Sequence, residues 1–130
     1  MTRDIDLIRK LLLQLESLSS RPGEVFVLSG DDSEIAVDGY SPDQITYHLE
    51  LLKEAGLIEC PGSQPMLGVT FERLTWHGHD FLDSVRNPET WTRTKEGAHK
   101  IGSWSFGLLT DLAKAYAKHL AKEKLGLDLS

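Results

Sequence analysis

The sequence predicts an α+β fold: three helices and a small antiparallel sheet with a protruding hairpin, followed by a C-terminal extension of two helices. Three observations lead to this prediction. Apolar residues recur at helical spacing near the N-terminus, a Ser-Pro pair at residues 41–42 opens a second helix, and short β-prone runs flank turns rich in Gly and Pro. We expect residues 1–86 to form the domain, and residues 87–130 to pack on it or on a second subunit.

The N-terminal segment predicts an amphipathic helix. Its apolar side chains recur at spacings of three and four residues, which places them on one broad face. They are Ile5, Leu7, Ile8, Leu11, Leu12, Leu15 and Leu18. Thr2 or Asp4 is suited to cap the first turn, where negative charge favours the helix dipole. Leu13 falls outside the apolar face, and the breaker residues 19–23 end the helix.

A short strand is predicted over residues 24–28, because the run Glu-Val-Phe-Val-Leu is β-prone. Residues 30–34 are typical of a turn or loop. Residues 35–37, Ile-Ala-Val, fit either a loop or a strand that returns as a hairpin. No clear helix is predicted between this strand and Ser41.

The segment from Ser41 to residue 58 carries the strongest local signals. Ser41 is a favourable N-cap, and Pro42 stands at the first helical position, where its missing N–H leaves no bond unmade. Ile45, Leu49 and Leu52 supply the buried face of the predicted helix, and a glycine at position 56 is suited to end it in the left-handed conformation.

A hairpin and a third helix follow. Residues 57–59 predict one strand, the turn-rich residues 61–65 a tip, and the alternating residues 69–74 a return strand. Thr75 is expected to cap a helix that runs to about Arg86. This helix offers four side chains to the core: Trp76, Phe81, Leu82 and Val85.

The C-terminal extension is predicted as two helices, residues 89–101 and residues 104–124, separated by Gly102 and Ser103. On the longer helix the apolar residues share one face and three lysines lie on the opposite one. The apolar set is Leu108, Leu109, Leu112, Tyr116 and Leu120; the lysines are Lys114, Lys118 and Lys122.

The order helix, strand, helix, hairpin, helix resembles the winged-helix pattern, and the run from His48 to Ile58 resembles the recognition helix and first wing strand of many bacterial regulators. Nearly the whole chain also resembles a domain-of-unknown-function family of bacterial and prophage proteins, similar to the small YjcQ-type phage-related proteins. The residues that carry this second resemblance are Arg3–Arg9, Tyr47–Leu49, Leu74–Leu82 and Trp91–Lys95. It implies a winged-helix-like fold and an association with mobile elements, and it implies no enzymatic activity.

Composition indicates a globular protein, with 40% hydrophobic and 26% charged residues. No apolar run approaches the roughly 20 residues that cross a bilayer, and the N-terminus lacks the apolar stretch of a signal peptide. A lone cysteine, Cys60, excludes an internal disulfide and a multi-cysteine metal site. We therefore expect a cytoplasmic location.

Charge is unevenly distributed along the chain. Residues 1–85 hold six Lys and Arg against fifteen Asp and Glu, a net charge of −9, whereas residues 86–130 hold eight against five, a net charge of +3. DNA binding requires Lys and Arg close to phosphates. The predicted outward face of the helix that begins at Pro42 instead carries three carboxylates and one amine, so we expect it to face protein. Its residues are Asp43, Thr46, Tyr47, Glu50, Lys53 and Glu54.

No catalytic or metal site is predicted. His77 and His79 are two residues apart, whereas metal-binding pairs on a helix need spacings of three or four. His48 is expected as a hydrogen-bonded packing residue. The acidic cluster of Asp31, Asp32 and Glu34 lacks the ligand spacing of a calcium loop, and no histidine base is placed beside Cys60. We expect no enzyme activity and no cofactor.

The leading hypothesis is a non-enzymatic winged-helix-type interaction module that forms a homodimer through its C-terminal helices. The candidate tail contacts are Trp104, Phe106, Leu108, Leu112 and Tyr116. Packing of these residues on their own domain is the other arrangement that the sequence allows. A DNA-binding regulator of prophage or host genes is the alternative function, disfavoured by the acidic helix. A membrane-surface helix is less favoured than a dimer helix, which accounts for the same apolar stripe.

Overall fold

A computed structural model describes residues 1–18 and 21–126, and the chain divides into two compact units, Met1–Asp80 and Phe81–Ser130. The described residues form five α-helices and four strands, which confirms the predicted α+β class. The elements are α1 (Ile5–Leu18), β1 (Phe26–Leu28), α2 (Pro42–Glu54), β2 (Ile58–Glu59), β3 (Val69–Phe71), β4 (Arg73–Leu74), α3 (Trp76–Val85), α4 (Pro88–Ile101) and α5 (Phe106–Leu125). The predicted domain boundary at residue 86 remains a prediction.

Helix α1 begins where Asp4 accepts a hydrogen bond from the N–H of Leu7 through Oδ1 at 3.1 Å. Asp4, and not Thr2, is therefore the cap. The predicted apolar face is buried except at Leu18, which is half-buried. Leu7, Leu11 and Leu15 are fully covered. Of the predicted breaker segment, residues 19 and 20 lie outside the described residues.

The strands form two antiparallel pairs, β1 with β3 and β2 with β4. Phe26 lies opposite Phe71, and Ile58 lies opposite Leu74. The predicted return strand 69–74 is thus interrupted at Glu72, whose N–H donates to the carbonyl of Glu59 at 3.0 Å. Its first half pairs with β1 and its second half with β2.

The ambiguous residues 35–37 do not form a returning strand. A single 3₁₀ turn, Ser33–Ile35, occupies this region, and Ile35 is fully buried. The burial of Ile35 in the core accounts for the apolar character that made this segment resemble a strand.

Helix α2 begins at Pro42 and ends before Gly56, as predicted, and hydrogen bonds between neighbouring residues cap both of its ends. Ser41 accepts from the N–H of Gln44, and the Gln44 side chain accepts from the N–H of Ser41, which makes a capping box. At the other end Gly56 has φ +72°, and the N–H of Leu57 donates to the carbonyl of Leu52 at 3.0 Å. This pattern is a Schellman motif.

Helix α3 is capped by Thr75, as predicted, since its hydroxyl accepts from the N–H of Gly78 at 3.0 Å. The expectation that Trp76 joins the core is wrong: its side chain is 87% exposed. Gly78 lies so close to the carbonyl oxygen of Leu57 that a Cβ would overlap it. Trp76 is two residues from Gly78, about 200° around the helix, and therefore points to solvent.

The second unit contains the helical hairpin of α4 and α5. Asn87 caps α4 through the N–H of Thr90, and Gly102 ends it with φ +78°. Helix α5 begins at Phe106 and not at Trp104, because Ser105 accepts from the N–H of Leu108 and caps the first turn. Leu109 is fully buried in this unit. None of the described helices combines the length and the apolar character that crossing a bilayer requires.

Candidate functional site

The outward face of α2 is the candidate site, and the structure places the six predicted side chains as follows. Four are exposed: Asp43, Glu50, Lys53 and Glu54. Thr46 and Tyr47 are half-buried. The side chains of Asp43, Glu50 and Glu54 make no hydrogen bond or ion pair within the described residues, so their charges are available to a partner.

Thr46 was predicted on the partner-facing surface of α2, and it also binds the loop after β1. Its Oγ1 accepts a hydrogen bond from the N–H of Gly30 at 2.8 Å, which fixes the loop after β1 against α2. A Cβ on Gly30 would overlap the backbone of Pro42, so only glycine allows this approach. Asp31, the next residue, is thereby brought to the acidic N-terminal half of α2.

A groove of about 240 Å³ lies beside α2, where the loop after β1 approaches the helix. Its walls combine apolar side chains with three carboxylates. The lining residues are Met1, Ser29, Asp31, Pro42, Asp43, Thr46, Tyr47, Glu50 and Leu67. Four of the six predicted residues lie here, whereas Lys53 and Glu54 do not. Sequence reasoning missed Met1, Ser29, Asp31 and Leu67, because long-range folding brings them together and no local spacing indicates it.

His48 anchors α2 from below this face. It is buried, its Nδ1 lies 2.7 Å from the carbonyl oxygen of Gln44, and its Nε2 lies 2.8 Å from the backbone nitrogen of Asp4. Because a carbonyl only accepts and an N–H only donates, the proton is on Nδ1 and Nε2 is the acceptor. His48 therefore joins α2 to the start of α1.

The same junction includes a part-buried hydrogen bond from the phenol of Tyr40. The hydroxyl of Tyr40 donates to Oδ2 of Asp4 at 3.0 Å. Desolvation by burial, the hydrogen bond to Asp4 and the negative charges of Asp4 and Asp6 raise the pKa of Tyr40 to about 12. The phenol therefore stays protonated and holds Asp4 in its capping position.

The tip of the hairpin is ordered by one side chain. The amide nitrogen of Gln64 donates to the carbonyl of Cys60 at 3.2 Å and to Oγ1 of Thr70 at 2.8 Å. Beyond it, Met66 is 97% exposed and Leu67 is 70% exposed. The tip thus exposes two apolar side chains above a segment held by the hydrogen bonds of Gln64.

Burial raises the pKa of the Cys60 thiol, which disfavours the nucleophilic thiolate.

Basic residues are sparse around this site. In the hairpin, Arg73 is exposed and its guanidinium lies 3.8 Å from the carboxylate of Glu72, which offsets its charge. Lys53 is the one basic side chain on α2. The outward face of α2 therefore carries more carboxylates than amines.

The predicted tail contacts are placed around α5. The ring of Phe106 packs on Phe81 with ring centroids 4.5 Å apart. Leu112 and the Tyr116 hydroxyl both approach Gly97 of α4 closely. Leu108 is half-buried, and Trp104 is 40% exposed. The predicted apolar stripe therefore packs in part on α4 within the same unit.

The histidine pair on α3 does not build a ligand set. Nδ1 of His79 lies 3.9 Å from the carboxylate of Glu16, a long contact that is ionic only when the imidazole is charged. Among residues 1–18 and 21–126, no three His, Cys, Asp or Glu side chains are arranged to hold a metal ion.

Comparison with known proteins identifies the family of this chain. A protein of Haemophilus influenzae described as uncharacterized is 33% identical over 127 residues, which cover 96% of this chain and 99% of that protein. No solved structure matches the chain. The model of a family described as hypothetical protein, DUF2513, matches residues 2–105. The chain therefore belongs to the DUF2513 family.

Proposed function

We propose that this protein is a winged-helix-type interaction module whose α2 face binds protein. Support for the winged-helix assignment comes from the strand pairing, in which residues 69–74 pair with β1 through one half and with β2 through the other. Helix α2 precedes this hairpin, as a recognition helix does. The 3₁₀ turn Ser33–Ile35 stands where a regulator has its second helix.

One observation carries the choice of protein over DNA as partner: the outward face of α2 bears Asp43, Glu50 and Glu54, all exposed and without partners among the described residues. Like charges brought together in an interface oppose binding, so phosphates disfavour this face. A cationic protein surface favours it. Tyr47 adds the aromatic surface that protein interfaces prefer.

We further propose that two copies associate through the C-terminal helices. The apolar stripe of α5 stays only half-buried after packing on α4, at Leu108, Leu112 and Leu120. Ile101 and Leu125 are exposed. A second copy would cover these side chains and add apolar burial.

The proposal includes a cytoplasmic, non-enzymatic role linked to mobile elements. A single Cys60 thiol is compatible with a reducing compartment. The link to mobile elements rests on the resemblance to prophage proteins. A DNA-binding regulator is the competing function, and the basic residues of the second unit are the feature that would serve it.

A photo-crosslinking residue at position 50, introduced in cells, separates the two functions. We expect discrete protein adducts from position 50 and none from the exposed position 34. Adducts to nucleic acid would overturn the proposal. Purified protein should also show no association with mixed-sequence duplex at low salt, and binding that weakens steeply with added salt would establish DNA as the partner.

A further inference from the structure

The carboxylates of α2 form a single stripe along the helix. Asp43, Glu50 and Glu54 stand at positions i, i+7 and i+11, which places them within about 40° of one another around the axis. Tyr47 lies at the edge of this stripe. The stripe is opposite the buried side chains Ile45, Leu49 and Leu52.

Helix α5 carries a stripe of the opposite charge. Lys114, Lys118 and Lys122 recur at every fourth residue and are exposed. They lie on the side away from the buried Leu109 and Ala113. Packing within the second unit leaves Lys118 and Lys122 exposed, and these two lysines carry the argument.

The two stripes match in spacing as well as in charge. Glu50 and Glu54 are four residues apart, about 6 Å along the helix axis, which equals the separation of successive lysines on α5. The segments that carry the two stripes also differ in net charge: residues 1–85 have a net charge of −9, and residues 86–130 have a net charge of +3.

We propose that the acidic stripe of α2 binds the basic stripe of α5 from a second copy of this chain. The inference rests on the proposed function and gives the protein-binding face of α2 a specific partner. Lysine stems cover apolar surface while their amines reach carboxylates, so Tyr47 packs against the stems of Lys118 or Lys122. Because each copy carries both stripes, two reciprocal contacts close a two-fold dimer.

This contact uses a different face of α5 from the apolar tail contact. Leu112 and Tyr116 lie on the α4 side, and Lys118 lies opposite them. The two modes of association therefore respond to different substitutions. Single exposed ion pairs contribute little, so the stripe must act through several pairs together and must weaken with salt.

A charge-exchange experiment on the full chain tests the inference. One variant carries Glu50→Lys and Glu54→Lys, so both of its stripes are basic. The other carries Lys118→Glu and Lys122→Glu, so both of its stripes are acidic. A control with Glu34→Lys and Asp38→Lys matches the first variant in net charge, at exposed positions outside the stripes. Circular dichroism verifies that all three fold.

Light scattering should give the wild type and the control a mass near twice 14.5 kDa. Each stripe variant should shift toward 14.5 kDa, because it keeps only the apolar α5 contact of the proposed dimer. An equimolar mixture of the two stripe variants should recover the dimer, because each basic stripe then meets an acidic one. The recovered dimer should dissociate as salt is raised. This recovery requires contacts between chains and would not result from contacts within one chain.

Three results would overturn the inference: a wild type that is monomeric at every concentration, stripe variants that remain dimeric, or a mixture that stays monomeric. Dimers that survive charge reversal but are lost on Leu112→Lys would assign association to the apolar stripe instead. In each case, protein adducts from position 50 would leave the proposed function standing with another partner, whereas nucleic-acid adducts there would end both.

Discussion

The backbone N–H of Asp4 donates to Nε2 of His48 at 2.8 Å, which joins the first turn of α1 to the middle of α2 across 44 residues of sequence. His48 has a second bond to the carbonyl of Gln44. One buried imidazole thus satisfies a backbone donor of one helix and a carbonyl of another.

His48→Leu should therefore lower the free energy of unfolding by about 1–3 kcal/mol, because the N–H of Asp4 loses its acceptor at a part-buried site. Urea unfolding measures the change. His99→Leu is the matched control, since His99 is exposed, and should stay within about 0.5 kcal/mol of wild type. Equal effects of the two substitutions would contradict this role of His48.

The pKa of Tyr40 gives a prediction at alkaline pH. Its folded-state pKa of about 12 is above the ordinary value of 10.0, so its contribution to stability is complete below pH 10 and is lost as pH rises through 12. In a spectrophotometric titration, one of the three tyrosines should ionise last, and Tyr40→Phe should remove that step. If the last step persists in Tyr40→Phe, the assignment is wrong.

Gly78→Ala should destabilise the protein, although alanine is the better helix former. A Cβ at this position would overlap the carbonyl oxygen of Leu57, and overpacking of this kind costs about 1–3 kcal/mol. Gly107→Ala is the control, because a Cβ there meets nothing within 4 Å. It should raise the free energy of unfolding by about 0.4–1 kcal/mol. Thermal unfolding of both variants checks the opposite signs.

Leu49→Ala and Leu52→Ala should each lower the free energy of unfolding by about 2–5 kcal/mol, because both side chains are fully buried. Leu67→Ala should change it by less than about 0.5 kcal/mol, since Leu67 is largely exposed. Chemical denaturation of the three variants compares them directly. A small effect at Leu49 would place α2 with a different face toward the core.

Local signals in the sequence were sufficient for most helix and strand positions. Ser41, Pro42 and Gly56 act within one or two turns of the helix, and α2 begins at Pro42 and ends before Gly56 as predicted. Periodicity found the buried face of α1 for the same reason. It failed for Trp76, where position around α3 outweighs the hydrophobic character of the side chain.

Local sequence signals do not predict which distant segments pair with one another. The division of residues 69–74 between β1 and β2 depends on which strand lies beside each half, and alternation alone does not encode that. The groove beside α2 is a similar case. Asp31 reaches the groove only because Gly30 lacks a Cβ and its N–H donates to Thr46, which is a relation between one loop and a distant helix.

The closed ends of α2 have a consequence for recognition. Because the capping box and the Schellman motif satisfy terminal backbone groups of the helix, α2 requires no partner to complete its fold. A molecule that lands on its outward face meets a pre-formed surface, and the entropy lost on association is largely that of side chains such as Glu50 and Glu54. Recognition here should therefore proceed by rigid docking, with association rates governed by electrostatic steering and ionic strength.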